Sequence, residues 1–259
     1  SQVLMTVHRS RQQLQQVWSR KATSQEGLLQ ALQDWCRDAE ATGIQALQEG
    51  DTEAAVQAFT KAIEEEPDNP LGYINFGHVL TSMDDAERAE RFFQKAITLD
   101  ETSATAYYGL ANLYFNAERY AEALKLYEKA VQYGLEGADA HFMIGKCLEK
   151  MDQPKLALPY LQRAVELDGE DVQARLSYGI ALASLELFEL AEPQFVEVLM
   201  QQPDHADAHY NLGVLYAVST NRVEDAMFHL KQAYTLDETN EMARYAYDMI
   251  VEGRNKTNM

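Results

Sequence analysis

Residues 104–137, ATAYYGLANLYFNAERYAEALKLYEKAVQYGLEG, decide the architecture. Counted from Ala104, the eighth place is Ala111, the twentieth Ala123 and the twenty-seventh Ala130, with Tyr114 at place 11 and Tyr127 at place 24. Stepping outward by 34 residues finds the same spacing on both sides. Place 8 holds Gly43, Gly77, Ala111, Gly145, Gly179 and Gly213. Place 20 holds Ala55, Ala89, Ala123, Ala157 and Ala191, then Ala226 after one inserted residue. Place 27 holds Ala62, Ala96, Ala130, Ala164, Val198 and Ala233. Seventeen of these eighteen places are Gly or Ala, against about three expected by chance, so the spacing is a true internal repeat. Place 24 is always large: Phe59, Phe93, Tyr127, Leu161, Phe195 and Leu230.

A 34-residue unit with small residues at places 8, 20 and 27 reads as two antiparallel helices. Places 8 and 20 let helix A and helix B of one repeat approach, and place 27 does the same for helix B and the next helix A. Large residues at places 4, 7, 11 and 24 fill what lies between. One such unit cannot bury its apolar face alone, and a stack does so collectively. Turn residues agree. Gly50-Asp51 separates the helices of the first repeat, and Pro67 and Pro203 end helix B of the first and fifth. Pro154 suits the first turn of a helix, whereas Pro159 and Pro193 fall deeper and predict a mild bend.

The segmentation that follows is 1–35 for an N-terminal helical segment, then 36–69, 70–103, 104–137, 138–171, 172–205 and 206–240 for six repeats, and 241–259 for a terminal helix and tail. In the N-terminal segment Val3, Val7, Leu14 and Val17, with Trp18, share a helical stripe. Ser24 is a candidate N-cap for a second helix carrying Leu28, Leu32 and Trp35. The terminal helix is expected to be amphipathic through Met242, Tyr245, Met249 and Ile250 and to cap the stack.

Composition bounds the function. The chain of 259 residues is 46% apolar and 24% charged, a normal mixture for a folded protein, and carries a formal charge of −19. Two cysteines exclude a disulfide scaffold and suit a reducing compartment. No apolar run has the length of about 20 residues that a membrane helix needs. The negative charge disfavours nucleic acid, whose phosphates are bound by Lys and Arg. The charge is uneven: residues 1–23 hold Arg9, Arg11, Arg20 and Lys21 and no acid, and the acids gather in runs such as Glu64-Glu65-Glu66 and Asp84-Asp85.

The small–Ala–Ala skeleton with aromatic fillers resembles the tetratricopeptide repeat (TPR) family over residues 36–240. Residues 153–167, QPKLALPYLQRAVEL, look like those of small stand-alone bacterial members. The chain departs from the family pattern at place 4, where the favoured Trp is replaced by Tyr73, Tyr107, His141, Arg175 and His209, and in having the Pro of place 32 in two repeats. The resemblance implies an all-α fold, a right-handed α-α superhelix, with helix A lining a concave groove through places 2, 5, 6, 9, 12 and 13.

At those places the sequence puts Ile74, Tyr108, Phe142, Leu176 and Tyr210 (place 5), Asn75 and Asn211 (place 6), His78, Asn112, Lys146 and Val214 (place 9) and Phe115 (place 12). Aromatic groups give contact area, and an Asn offers both a donor and an acceptor to a peptide backbone. These twelve residues are the candidate peptide-binding set. Charge in the groove is nearly balanced, with Glu40, Asp139, Glu149 and Asp207 against Arg37, Lys146 and Lys150. Two sharper versions of the family's chemistry do not match: place 5 never holds the Lys of a carboxylate clamp, and place 6 holds Asn too rarely for an asparagine ladder.

Signals for catalysis are thin. His205 and His209 have an i, i+4 spacing that suits a shared metal, but His209 stands at a packing place and His205 precedes the helix. Cys36 and Cys147 lie three repeats apart, too far for a disulfide, and Cys147 reads as buried filler. There is no phosphate loop and no nucleophile elbow. The expectation is a cytoplasmic adaptor without cofactor, holding a peptide segment of another protein in its groove. Ser1 and the distinct start suggest, as an alternative, a regulatory or sensor part of a larger protein. The basic residues 1–23 also suggest self-association on the acidic surface of a neighbouring copy.

Overall fold

The computed structural model describes residues 39–219 and 221–257, with side chains to residue 254. Segment 1–35, with its two expected helices and basic stretch, and Cys36 lie outside the described residues. In chain order the helices are α1 (described over 39–48), α2 (Thr52–Glu65), α3 (Pro70–Ser82), α4 (Ala86–Leu99), α5 (Ala104–Asn116), α6 (Tyr120–Gln132), α7 (Ala138–Lys150), α8 (Pro154–Leu167), α9 (Val172–Ser184), α10 (Phe188–Gln201), α11 (Ala206–Ser219), α12 (Val223–Leu236) and α13 (Glu241–Thr257). The described residues hold no strand. The chain forms two compact units, Ser1–Leu135 and Glu136–Met259, so α1–α6 belong to the first and α7–α13 to the second. In each unit a helix packs on the next along the chain, and successive A helices also touch, as α3 does α5 and α9 does α11. The fold is all-α, of the α-α solenoid class.

A large residue pressed into a small one builds each helix pair. Phe59, Phe93, Tyr127, Leu161, Phe195 and Leu230 are all fully buried. A Cβ added at Gly77 would stand 2.9 Å from the Phe93 ring, at Gly145 2.5 Å from Leu161, and at Gly179 2.8 Å from Phe195. Gly109, at place 6 of the next repeat, approaches the same Phe93 ring atoms, where a Cβ would come within 2.4 Å. These contacts are the physical content of the glycine positions, where helix A comes closer to the place-24 side chain than a Cβ permits; the third repeat has the fully buried Ala111 there instead.

The turn from helix A to helix B is the same in five repeats. The residue at place 15 takes a left-handed conformation: Gly50 at φ 75°, Asp84 at 59°, Glu118 at 59°, Asp152 at 56° and Glu186 at 58°. Its N–H and the next one reach back to two orphan carbonyls, as Glu118 N to Phe115 O (3.0 Å) and Arg119 N to Tyr114 O (2.9 Å). This is a Schellman closure, which satisfies the helix end in the tightest space. The turn from helix B to the next helix A uses side chains instead. Asp100 Oδ1 accepts from Thr102 N at 2.9 Å, and Asp171 Oδ1 caps α9 by accepting from Gln173 N at 2.9 Å. Pro70 and Pro154 sit in the first turns of α3 and α8, where no N–H is needed. α8 and α10 run on through Pro159 and Pro193, whose rings face solvent.

Place 4 has a definite role. Its side chain donates back six residues to a carbonyl of the preceding turn: Tyr73 Oη to Pro67 O (2.9 Å), Tyr107 Oη to Glu101 O (3.1 Å), Arg175 Nη2 to Gly169 O (3.1 Å) and His209 Nε2 to Pro203 O (2.8 Å). In the fourth repeat His141 Nδ1 bonds Gly137 O instead, at 3.0 Å. There the preceding turn is built differently. α6 ends in its own Schellman closure at Gly134, φ 103°, with Leu135 N donating to Ala130 O at 3.0 Å.

A second tie joins consecutive repeats within each unit. Tyr114 Oη donates to Glu90 Oε1 at 2.7 Å, and the Arg119 guanidinium lies 4.0 Å above the Tyr114 ring. Tyr216 Oη donates to Glu192 Oε1 at 2.7 Å, with Arg222 4.0 Å above its ring. Burial, with the bond to Glu192, pushes the Tyr216 hydroxyl up to about 12.

Candidate functional site

The twelve residues expected on the helix A face divide between the units. In the first, α3 carries Ile74, Asn75 and His78, and α5 carries Tyr108, Asn112 and Phe115. In the second, α7 carries Phe142 and Lys146, α9 carries Leu176, and α11 carries Tyr210, Asn211 and Val214. Two of the twelve are packing residues. Ile74 and Leu176 are each 5% exposed and belong to the apolar cores of their units. Place 5 therefore holds a core residue in two repeats and a half-buried ring in three, a difference that a one-dimensional register does not contain.

The other ten keep surface. Tyr108 is half-buried, with its ring edge-on to Tyr127 at 5.4 Å, and Phe115 stands edge-on to Tyr120 at 5.2 Å. Both rings are braced by an aromatic neighbour and keep part of their surface accessible. Asn112 accepts the Tyr127 hydroxyl at 2.6 Å through Oδ1, which fixes its amide plane. Asn75 Nδ2 is buried without a hydrogen-bond partner among the described residues. His78 is open to solvent by area, yet the surrounding protein lowers its pKa by desolvation, and its ring meets Phe93 edge-on at 5.1 Å. In the second unit Lys146 is held by both oxygens of Glu149, at 3.0 and 3.1 Å, so the side chain is positioned rather than loose. Asn211 spends its Nδ2 on Asp207 O at 2.8 Å, while Phe142, Tyr210 and Val214 are half-buried.

The terminal helix corrects a sequence expectation. The covered side of α13 includes Ala243, fully buried, Tyr247, edge-on to Tyr234 at 5.7 Å, and Ile250, which packs on the core of the second unit. Met242, Tyr245 and Met249 are 63%, 62% and 51% exposed. Counted as a seventh helix A from Glu241, these three hold places 2, 5 and 9. Asp248 holds place 8, where a carboxylate replaces the small residue that a helix B needs. Asp248 is exposed where the other repeats set a small residue against helix B, while the helix A face carries on in apolar residues. Extending the 34-residue register by one step finds them.

The histidine pair is also not the one the spacing suggested. His205 Nδ1 accepts from Ala208 N at 3.3 Å, a capping contact. His209 is 7% exposed and meets His229 of α12, Nδ1 to Nδ1, at 2.8 Å. Since the Pro203 carbonyl can only accept, His209 Nε2 carries a proton, and His229 Nδ1–H is the donor of the inter-helix bond. Desolvation, then the neighbouring His209, drives the His229 pKa down to about 4. Cys147 is fully buried, and burial raises its thiol to about 12, so it is filler and not a nucleophile.

Models of the tetratricopeptide repeat family match residues 46–94, 102–170, 142–199 and 179–241. A stretch of 39 residues is 51% identical to the TPR repeat-containing protein YrrB of Bacillus subtilis, covering 15% of this chain and 19% of that protein. The crystal structure of YrrB, described as a TPR protein with an unusual peptide-binding site, superposes with a TM-score of 0.70 at 45% identity, over 75% of this chain and all of that one. The structure of PilF from Pseudomonas aeruginosa superposes with a TM-score of 0.73 over 83% of this chain and 98% of that one, at 20% identity, a likeness of fold. Repeats interlocked place by place, and a 45% identical relative matched along its whole length, establish that the chain belongs to the tetratricopeptide repeat family.

Proposed function

We propose that the protein is an adaptor that holds a peptide segment of another protein on its helix A face. The observation carrying this reading is the set of braced aromatic side chains there. Tyr108 and Phe115 of the first unit are each half-buried and braced by an edge-on ring, and Phe142 and Tyr210 of the second unit are half-buried at the same place of the repeat as Tyr108. Rigid aromatics give contact area at low entropic cost. His78 of the first unit and the positioned Lys146 of the second, both at place 9 of the repeat, add polar groups to the set. YrrB, the 45% identical relative, is described as having a peptide-binding site, which fits the same class of ligand.

The surroundings support a protein ligand. A net charge of −19 sets the surface against phosphate backbones. Among the described residues no helix is long and apolar enough to cross a membrane. A buried, unpaired Cys147 fits a reducing compartment, and we place the protein in the cytoplasm on that ground. The test is affinity capture with the intact chain and with Tyr108→Ala plus Phe142→Ala. The double variant is expected to lose the captured partner while keeping its helical signal. Retention of every partner removes the helix A face as the interface.

A further inference from the structure

The outer sides of α8 and α10 carry one pattern with opposite charge. Residues 155–163 read KLALPYLQR, and residues 189–197 read ELAEPQFVE. Both hold Leu at place 19 and Pro at place 22, and both frame them with charges at places 18 and 26. These are Lys155 and Arg163 on α8 and Glu189 and Glu197 on α10. The four places lie on the helix side opposite the fully buried Ala of place 20, so the pattern faces away from the core. Leu156, Leu190 and Met200 are more than half exposed, and Pro159, Pro193 and Val196 are exposed beside them. An apolar outer side is not a demand of the repeat. Places 19, 22 and 26 of the first unit hold Arg88, Arg91 and Lys95 on α4 and Glu122, Lys125 and Lys129 on α6, all exposed. The helices α8 and α10 lie side by side. Leu158 of α8 packs on the core that holds Phe195 of α10, and Gln201 Nε2 donates to Gly169 O, just past the end of α8, at 3.3 Å.

A surface with this pattern is complementary to itself. We propose that the outer side of α8 and α10 receives the same surface of a second copy of this chain. A two-fold axis parallel to the helices lays α8 of each copy along α10 of the other, so that residues of one place stand at one height. Leu156 and Pro159 then come against Leu190 and Pro193 of the second copy, and Lys155 and Arg163 come toward its Glu189 and Glu197, twice over by symmetry. The charges are available for this. Lys155 and Glu189 are exposed and have no ion pair among the described residues. Arg163 meets Glu166 at 3.3 Å in an exposed pair of the kind that contributes little, and Glu197 takes one bond from Gln201 at 3.3 Å. The area also suits a second copy. The six apolar side chains present on the order of 500 Å², so two copies cover about 1,000 Å² of apolar surface, the size a specific interface needs. The proline rings give up no side-chain freedom on docking. The surface belongs to helix B of its repeats and not to the helix A face, so it does not depend on the peptide-binding reading above.

Light scattering coupled to size exclusion tests it on the full chain. The parent is expected to have twice the chain mass and Leu190→Glu plus Met200→Glu to be monomeric, with circular dichroism to check that each variant stays folded. Charge reversal tests the arrangement. Lys155→Glu plus Arg163→Glu sets acid against acid, and Glu189→Lys plus Glu197→Arg sets base against base. Each is expected to raise the dimer dissociation constant at least about tenfold. The fourfold variant, with both helices reversed, is expected to return to within about threefold of the parent, and an equimolar mixture of the two double variants to form a heterodimer. A parent that is monomeric at every concentration overturns the proposal. So does a dimer that survives Leu190→Glu plus Met200→Glu, as one held by residues 1–23 or by the helix A face would. If neither the fourfold variant nor the mixture re-forms the dimer, the proposal is overturned as well. The Tyr108→Ala plus Phe142→Ala chain should dimerise as the parent does, which separates failure here from failure of the adaptor reading.

Discussion

Glu118 and Glu186 hold φ near +58°, a conformation that costs an L residue about 1–2 kcal/mol, because the Schellman turn leaves no other way to close the helix. Glu118→Gly and Glu186→Gly are each expected to raise stability by about 0.5–1 kcal/mol, the relief being partly offset by the greater freedom of Gly in the unfolded chain. Urea denaturation measures it, and a loss of stability would mean that the side chains contribute more than the strain. The position was hard to see in sequence because one repeat has Gly there and four have acids, which read as a solvated turn. Place 4 was hidden for the opposite reason. Tyr, Arg and His look like drift from a favoured Trp, yet each is long enough to donate to the same turn carbonyl. Removing one donor, Tyr107→Phe, is expected to cost about 1 kcal/mol with the packing kept. His229 gives a pH signature. Its folded pKa, about 4, lies below the usual 6.5, so the neutral form is the folded form. Its contribution is complete above pH 6.5 and declines as pH falls from 6.5 toward 4. Melting temperature should drop over that window, and His229→Gln should flatten the drop between pH 6.5 and 5, where few carboxylates titrate.

Helix pairs were the most legible level. The Gly and Ala spacing encodes a contact between backbone and a place-24 side chain, and the Cβ distances at Gly77, Gly145 and Gly179 show why no larger residue serves. Gly145→Ala is expected to destabilise the chain by about 1–3 kcal/mol, since the new methyl would meet Leu161, and Leu161→Ala should recover part of that loss in the double variant. An additive result would show that the two sites do not share the space. What the register did not supply was depth. Ile74 and Tyr108 occupy the same place, one in the core and one on the face, because burial depends on the neighbouring helix and not on the residue's own position. The terminal helix shows the same limit, as four apolar residues at helical spacing say that a helix is amphipathic but not which side of it is covered.

At the scale of the whole molecule the acidic balance acts on every element at once. Self-repulsion at −19 destabilises the compact state and is screened by salt, so the melting temperature is expected to rise between 0.02 and about 0.2 M NaCl, most steeply at the low end. The second unit has an apolar core of its own, from Val172 to Ala226 with Ile250 of α13 against it, and residues 136–259 alone are expected to melt cooperatively. A broad, non-cooperative transition would show that this core is insufficient by itself. The bonds from Tyr114 to Glu90 and from Tyr216 to Glu192, each roofed by an arginine, have one more meaning. A shift of 102 residues, three times the repeat, carries Glu90 onto Glu192 and Tyr114 onto Tyr216. The side-chain pattern therefore has a longer wavelength than the backbone pattern. Chimeras that exchange blocks of three repeats preserve these partners, whereas exchanging the third or the fifth repeat alone for a neighbour separates a tyrosine from its glutamate, so the workable cut points are fewer than the number of repeats suggests.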